Sequence, residues 1–400
     1  MKYRSQYGCR KGREGTVLFL VVMMILSLST VSLISYGLLV TDVSINRNQV
    51  NTSRALYHAD AGIKYVKRVV ESELEQGHTL SDILSNLQVH APDGLAFDSV
   101  NEFKTVIPER LFEVQVVGRS EKANTMVEAS LRRRNAFQAG IFGHHLTDVY
   151  PHAGVRAYDT RVHPEPWRSQ VPGGASIGSN VMIDMHTSAL VDGSFMLGAD
   201  SSGNVATCDD CGNGEIMLIG NIDPDPLGLN GGELDAEMQA ASLVNDNHSV
   251  GHIHHHRLQL KPQQEETLTS GNYYLDNLEL KSGSTLNIDS SEGPVRIFVK
   301  NSMKVWPNST VNHGGLPGDF QIISPVQSEI KILPNSNYNG MIYAPNADVR
   351  VMPNGDYFGL IWAYEAEVKP SGAAYIDIAL LEQFLLNELV LQHWREFRAN

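Results

Sequence analysis

The chain has 400 residues, 42% of them hydrophobic, and a formal net charge of −14. This length suits two or three structural units, and the acidic balance argues against a nucleic-acid or anionic-lipid surface, because both need clustered lysine and arginine. The charge is unevenly spread. The first fifteen residues carry five basic side chains against Glu14 alone, so the N-terminus is basic and the remainder strongly acidic.

Residues 16–40, TVLFLVVMMILSLSTVSLISYGLLV, carry no charge. At about 1.5 Å per residue this segment is about 37 Å long, against a bilayer hydrocarbon core of about 30 Å. A cleaved signal sequence has a shorter apolar region and a small-residue cleavage site, and a buried core helix seldom needs so long an uncharged run. We predict a transmembrane helix, with the basic residues 1–15 in the cytoplasm and the rest of the chain outside.

Apolar residues continue at helical spacing, which predicts one helix from about residue 16 to about residue 75. Small residues line one strip of its outer half at Ala55, Ala59 and Gly62. Such a strip lets another helix or a sheet approach closely, either within the same unit or in another subunit. Two alternating segments farther on, residues 111–117 and 125–131, predict a hairpin that packs on this helix.

Three features of the first 75 residues occur together: a basic leader that ends in a glycine, a long uncharged segment directly after it, and a small-residue pattern. That pattern consists of Ala55, Tyr57, Ala59, Ala61 and Gly62. Together they resemble the N-terminal region of PilX-type minor pilins, which are accessory proteins of type IV pilus biogenesis. The resemblance implies a hydrophobic helix held in the inner membrane or in a filament core, a head outside, and other pilins or pilus-assembly proteins as partners.

Two positions depart from the pilin pattern. Major pilins have a glutamate at the fifth residue after the cleavage-site glycine, where this chain has Leu20, and the residue before Gly15 is the acidic Glu14. Processing between Gly15 and Thr16 by a prepilin peptidase is therefore a hypothesis that the resemblance supplies.

From about residue 175 the chain becomes a series of short β-prone pieces separated by turn residues, and the turns repeat. Aligned turn positions are 25, 27, 19 and 17 residues apart, at Ser282, Pro307, Pro334, Pro353 and Pro370. One such repeat has too little apolar surface to fold alone, so stacking as a parallel β-solenoid is predicted, with turn residues in positive φ outside. An antiparallel sandwich is the alternative.

The predicted inner column of this solenoid contains Val305, Ile332, Val351 and Val368. The segments AGIFG and AYDT, and the duplication of NYNGMIYAPNADVRV in FGLIWAYEAEVKPSG, resemble the β-helical heads found behind PilX-type N-termini. Helical spacing of apolar residues after Asp377, the predicted N-cap, indicates a helix over 377–400 that either covers the open end of the solenoid or packs along its flank.

Cys208 and Cys211 form a CxxC pair in a loop-like context. In an exported domain a small disulfide loop is favoured over a reduced metal-binding knuckle, which needs about two more ligands, and over a redox motif at a helix start.

The run GHIHHHR holds the second candidate site. On an extended strand His252, His254 and His256 would project from one face and could bind a transition metal; the alternative is a solvated loop. His144 and His145 form a weaker pair.

The scattered aspartates of the turns, Asp184 among them, fit local hydrogen bonding better than catalysis or a calcium loop. No nucleophile elbow or phosphate-binding loop is present in the sequence, so we expect no enzyme and no cofactor.

These patterns together predict an α+β protein. It comprises a basic cytoplasmic leader (1–15), a transmembrane helix (16–40), an amphipathic continuation with a small β neck (41–135), a parallel β-solenoid head (136–376) and a C-terminal helix (377–400). The expected function is that of a membrane-anchored accessory protein of type IV pilus biogenesis, located in the inner membrane or in the pilus. Its expected partners are other pilins, the lipid bilayer and a surface ligand, either polysaccharide or protein, but no nucleic acid. The alternative is a membrane-tethered β-helical carbohydrate-binding or carbohydrate-active protein.

Overall fold

A computed structural model describes residues 14–87, 96–99, 104–107, 110–198, 205–206, 216–218 and 220–398. The chain divides into two compact units. The first, here called the N-terminal unit, comprises Met1–Arg134 together with Asn387–Asn400, and the second, the β body, comprises Asn135–Leu386. Together they give a long N-terminal apolar helix and a mostly β remainder, in agreement with the predicted α+β class.

The N-terminal unit contains two helices and five strands. The helices are α1 (Glu14–Glu75) and α2 (Leu80–Asn86), and the strands are β1 (Phe97–Ser99), β2 (Lys104–Ile107), β3 (Leu111–Ser120), β4 (Ala123–Asn135) and β25 (Leu385–Arg398). The strands form one sheet in the order β1-β3-β4-β25, with β2 also paired to β3. The predicted single helix and the predicted hairpin, β3 with β4, are both present.

The outer half of α1 packs on this sheet through its strip of small residues. Ala55 and Ala59 are fully buried, and a Cβ added to Gly118 of β3 would lie 1.9 Å from the Ala55 carbonyl oxygen. A Cβ on Gly62 would likewise lie 2.6 Å from Val116 Cγ1. The strip therefore serves contact within the unit, which was one of the two interpretations that the sequence left open.

The prediction of a helix over 377–400 is wrong. Only α4 (Ile378–Leu381) is helical, with Asp377 as its N-cap as expected, and residues 385–398 form β25 beside β4. A strand edge offers a row of unpaired backbone groups, and pairing with it satisfies them more fully than a helix whose apolar face has nothing to cover. Leu389 is buried in the apolar cluster of the N-terminal unit, so this segment contributes to the core of that unit.

Within the described residues, the β body has twenty strands in one sheet, two α-helices and three 3₁₀ turns. Its strands are β5 (Ile141–Val149), β6 (Gly154–Tyr158), β7 (Ala175–Ser179), β8 (Met182–Met185), β9 (Leu190–Val191), β10 (Gly193–Leu197), β11 (Val205–Ala206), β12 (Ile216–Leu218), β13 (Ile253–His254), β14 (Arg257–Leu260), β15 (Glu265–Thr269), β16 (Gly271–Leu280), β17 (Thr285–Asp289), β18 (Val295–Val305), β19 (Thr310–Val311), β20 (Phe320–Ile323), β21 (Ile330–Ile332), β22 (Asn337–Val351), β23 (Asp356–Val368) and β24 (Ala373–Asp377). The helices are α3 (Glu233–Leu243) and α4, and the 3₁₀ turns are Pro166–Arg168, Asn247–Ser249 and Pro317–Asp319.

Apart from the antiparallel pair of β13 with β14, the described strands of the β body pair in parallel with strands of the neighbouring repeat. The register aligns Leu280 with Val305, then Ile332, Val351 and Val368. These partners are 25, 27, 19 and 17 residues apart, as the aligned turns are, and the predicted inner column is fully buried. Parallel pairing of this kind does not fit the antiparallel sandwich.

The turns of the repeats use left-handed backbone conformations, as the sequence predicts. Asn308, Asn335 and Asn354 have φ of 60°, 58° and 55°, and asparagine tolerates this region better than most residues. The last repeat pairs through β23 with β5, so the segment that begins the β body lies beside the one that ends its repeat series. The spacing of the turns did not indicate that β5 and β23 are neighbours.

We predict that Gly118→Ala destabilises the N-terminal unit by about 1–3 kcal/mol, because the new methyl group would overlap the α1 backbone. Hydrogen-exchange mass spectrometry of β3 peptides in the detergent-solubilised full chain measures the loss of protection. Gly37→Ala is the matched control, since a Cβ there meets nothing within 4 Å. Equal protection of β3 in Gly118→Ala and the unsubstituted protein would contradict the close packing.

Candidate functional site

The first half of α1 is an uncovered apolar surface. Every side chain from Val17 to Val50 is exposed in the unit, including Leu26 at 55% and Leu33 at 71%. The helix is long and apolar enough to cross a membrane, with a mean hydropathy of 2.7 over its most apolar stretch and none of that stretch buried. Exposed apolar area of this extent marks a lipid or protein contact.

The second candidate lies on the β body, where side chains on the opposite face of the strands from the apolar column stack in register. We call this row the charged column. It consists, in order of pairing, of Gln259, Glu279, Lys304, Lys331, Arg350, Glu367, Asp148 and Asp184. Adjacent strands lie about 4.8 Å apart, so each side chain is within reach of its neighbours.

The middle of the charged column is neutralised internally. Arg350 Nε lies 3.1 Å from Glu367 Oε1, and both Arg350 and Lys331 pair with Glu329. Lys369 pairs with the other oxygen of Glu367. These ion pairs account for Lys331 and Arg350, whereas Lys304 lies over the Trp306 ring.

One end of the column surrounds an aromatic side chain. Lys281 Nζ and Lys304 Nζ lie 4.6 and 4.1 Å from the ring centre of Trp306, and the indole Nε1 donates to Glu279 Oε1 at 2.8 Å. Glu279 and Lys304, which contact Trp306, also line a neighbouring cavity of about 420 Å³ together with Gln259 and Lys331. An aromatic ring beside charged groups can bind a sugar ring or a polar chain.

Burial alone would raise the pKa of Glu279, but hydrogen bonds from Lys281, Trp306 and Gln259 outweigh it and hold this pKa below its ordinary value. The carboxylate is therefore the stable form in the folded protein.

The other end of the column is acidic and contains a histidine. Asp148 on β5 and Asp184 on β8 are register partners, and His186 follows β8. His186 Nε2 lies 3.1 Å from Asp148 Oδ1 and 3.8 Å from Asp184 Oδ2. In the part of the chain that the structure describes, this is the one group of three such side chains whose ligand atoms all lie within 4.8 Å of one another.

Burial raises the pKa of Asp148, and the nearby carboxylates of Asp184 and Glu367 act in the same direction. The His186 ring and a hydrogen bond from Tyr150 oppose this rise. The Tyr150 ring stacks on the His186 ring with centres 4.6 Å apart, which fixes the orientation of the imidazole.

The predicted histidine site does not form as expected. β13 ends at His254, and the next two residues, His255 and His256, have φ of 50° and 58° in a tight turn to β14. This turn takes the place of the continuous strand that would have aligned the three side chains. His252 instead contacts Glu266 and Gln264, while the His256 ring lies near Asn247 and Tyr274.

The remaining predicted residues fall as follows. Cys208 and Cys211 lie outside the described residues, and Gly15 and Thr16 lie in the first turn of α1. His145 stacks on Tyr364 with ring centres 5.5 Å apart.

Asp148 and His186 are not among the residues predicted from the sequence, which indicated a turn for Asp184. Alternation in LTDVY and IDMH puts Asp148 on β5 and Asp184 on β8, with His186 two residues after Asp184, but the register that joins the two strands cannot be read from spacing.

A family model described as a domain of unknown function (DUF7305) matches residues 285–382, all within the β body. No curated protein matches the sequence. The competence-associated pilin ComZ of Thermus thermophilus is similar with a TM-score of 0.37 and 11% identity, covering 87% of this chain and 98% of that chain. An ice-binding protein of the Antarctic ascomycete Antarctomyces psychrotrophicus is similar with a TM-score of 0.35 and 12% identity, covering 60% of this chain and 94% of that chain. At such scores neither similarity carries a functional argument.

We predict that Glu279→Gln lowers the free energy of unfolding of the full chain by about 1 kcal/mol at pH 7, because the charged acceptor is lost. The folded-state pKa of Glu279 is depressed, so its stabilising effect is present above about pH 4.3 and disappears as the pH falls through the folded-state value. Chemical denaturation at several pH values should show the difference between variant and unsubstituted protein shrinking below pH 4.3. The exposed Glu265→Gln serves as control, and a difference that persists unchanged at low pH would contradict the role assigned to the Glu279 carboxylate.

Proposed function

We propose that the chain is a membrane-anchored accessory protein of type IV pilus biogenesis of the PilX type. The supporting observation is the first half of α1, where every side chain from Val17 to Val50 is exposed and the mean hydropathy of the most apolar stretch is 2.7. Such a surface in water is strongly unfavourable, at about 25 cal/mol per Å² of apolar area. A bilayer, or the helices of other pilins in a filament core, removes that cost.

The pilin pattern around Ala55 and Gly62 supports the more specific assignment. Those residues allow β3 to pack closely on the outer half of α1, which leaves the inner half free for lipid or for other subunits. The orientation proposed is a cytoplasmic N-terminus with an exported β body, because positive charge precedes the apolar segment and Asp42 is the first charge after it.

We further infer that the β body is a parallel β-solenoid that presents a surface for assembly or adhesion. Parallel pairing between repeats and the buried column of Val305, Ile332, Val351 and Val368 support this. The proposal assigns the chain no catalytic step and no cofactor.

Membrane anchoring predicts that the double substitution Leu26→Arg with Leu33→Arg prevents stable insertion, since each arginine near the middle of a span costs about 2.5–3.5 kcal/mol. The unsubstituted protein should sediment with membranes and resist extraction by high salt, and the variant should be soluble or degraded. Leu243→Arg, at a leucine 85% exposed in the β body, is the control that should stay in the membrane fraction. Recovery of the unsubstituted full chain as a soluble monomer without detergent would refute the anchor.

The pilus role is tested separately in the native host. A deletion strain should show fewer or shorter pili by electron microscopy, and antibody to the β body should label pili or the cell envelope. Normal piliation in the deletion strain would leave the anchor intact but reject the pilus function. Mass spectrometry of the mature N-terminus tests cleavage between Gly15 and Thr16.

A second function, carbohydrate binding by the tethered β body, is favoured by Trp306 with its flanking Lys281 and Lys304. If it holds, the detergent-solubilised full chain binds at least one member of a polysaccharide panel, and Trp306→Ala weakens that binding about tenfold or more through loss of ring stacking. Trp167→Ala, at a tryptophan 67% exposed in the same unit, is the matched control. Release of reducing or unsaturated ends would indicate a carbohydrate-active enzyme, and absence of binding across the panel would reject this function.

A further inference from the structure

The acidic end of the charged column carries a feature that membrane anchoring does not use. We propose that Asp148, Asp184 and His186 form a binding site for a divalent transition-metal ion of the zinc type. Three ligands from two adjacent strands would hold the ion at the surface of the β body. The proposal stands independently of the pilus function.

The distances suit such an ion. Zinc bonds to carboxylate oxygen and imidazole nitrogen are about 2.0–2.2 Å long, and tetrahedral angles then place two ligand atoms about 3.3–3.6 Å apart. His186 Nε2 lies 3.1 Å from Asp148 Oδ1 and 3.8 Å from Asp184 Oδ2, on either side of that range. Small side-chain rotations bring all three atoms to one ion.

Burial of one carboxylate oxygen supports the site. Asp148 is only 6% exposed, and its Oδ1 makes no hydrogen bond; it lies 3.1 Å from His186 Nε2, with which it forms an ion pair only when the imidazole is protonated. Leaving a buried carboxylate oxygen without a hydrogen bond is costly, and a metal ion supplies the missing interaction.

The local charges point the same way. Glu367, Asp148 and Asp184 are consecutive register partners, and like charges directly opposite one another on adjacent strands repel. Glu367 is compensated by Arg350 and Lys369. A divalent cation between Asp148 and Asp184 would compensate the remaining pair of carboxylates.

The site is also accessible and oriented. The side chains of Asp184 and His186 are 36% and 37% exposed, so an ion can enter and retain a water or a partner's ligand in its remaining position. The Tyr150 ring stacks on the His186 ring, and Lys369 Nζ lies 3.7 Å above Tyr150. These contacts hold the imidazole in place before the ion arrives.

The donor set selects the class of metal. One imidazole nitrogen with two carboxylate oxygens suits zinc and its neighbours in the first transition row, whereas calcium takes six to eight oxygen ligands and magnesium prefers carboxylates and water. Zn²⁺ and its spectroscopic substitute Co²⁺ are therefore the probes of choice.

The experiment uses the full chain in detergent, with Cys208→Ser and Cys211→Ser as the background so that thiols cannot bind the probe. Isothermal titration with Zn²⁺ should give one site per chain, and Co²⁺ should produce a visible absorption band. Ligand loss in Asp184→Asn or His186→Ala should weaken Zn²⁺ binding on the order of tenfold or more. Both residues are partly exposed, and circular dichroism checks that the variants remain folded.

Two controls make the result specific. His313→Ala removes an exposed histidine elsewhere on the β body, and His252→Ala removes the histidine that contacts Glu266 in the other histidine-rich segment. Both variants should bind Zn²⁺ as the background protein does. Zn²⁺ should also raise the thermal midpoint of the background protein but not that of His186→Ala.

Three results would overturn the proposal. These are no saturable Zn²⁺ or Co²⁺ binding by the background protein, binding that survives both Asp184→Asn and His186→Ala, and binding that is lost in His252→Ala instead. None of these results bears on the membrane fractionation, so failure of the metal site is distinguishable from failure of the anchor.

Discussion

Parallel register between repeats is the constraint on which the β body depends. In paired strands each residue lies beside its register partner, and successive side chains alternate between the two faces. A buried position in one repeat is therefore beside a buried position in the next, which produces the column from Val305 to Val368. The same rule forces the polar positions into a column of their own. Because the apolar column fixes the register, the charged groups cannot avoid one another and must be compensated where they meet.

The two halves of α1 show how one helix meets two different requirements. In its outer half, the helix backbone at Ala55 and Ala59 packs directly against Gly118 of β3, where a Cβ atom would overlap it. Burial there resembles that of any helix packed on a sheet. Among the described residues of its unit the inner half has no such partner, and its aliphatic side chains from Val17 onward are exposed. One element thus contributes both a folded core and an unsatisfied apolar surface, and the proposed function follows from the second.

The sequence predicted most of what depends on local patterns. Repeat spacing identified the members of the apolar column and the positive-φ turns at Asn308, Asn335 and Asn354, and Asp377 was identified as an N-cap. Prediction from the sequence failed where the structure of a segment depends on which other segment it packs against. The segment after Leu381 has apolar spacing compatible with a helix, but the exposed edge of β4 makes a strand more favourable. Periodicity in one segment carries no information about an edge that another segment leaves open.

The candidate sites also differ in whether they depend on local sequence or on pairing between distant segments. The exposed half of α1 is one continuous stretch of sequence, so its composition alone indicated it. Glu367, Asp148 and Asp184 come together at the acidic end of the charged column because β5 pairs with both β23 and β8. The histidine run depends on its local backbone, since left-handed residues at His255 and His256 end the strand that would have aligned its side chains.

Charge along the column changes sign at Glu367 on β23, one strand before the chain order is broken. Lys304, Lys331 and Arg350 lie on consecutive repeats, and Glu329, which precedes β21, and Glu367 compensate the last two of them. Beyond Glu367 the column continues onto β5 and β8, which come from a distant part of the sequence, and two further acids follow. A cation bridging Asp148 and Asp184 would therefore do between β5 and β8 what Arg350 does between β21, β22 and β23. It would join neighbouring repeats by neutralising the carboxylates that the register brings together.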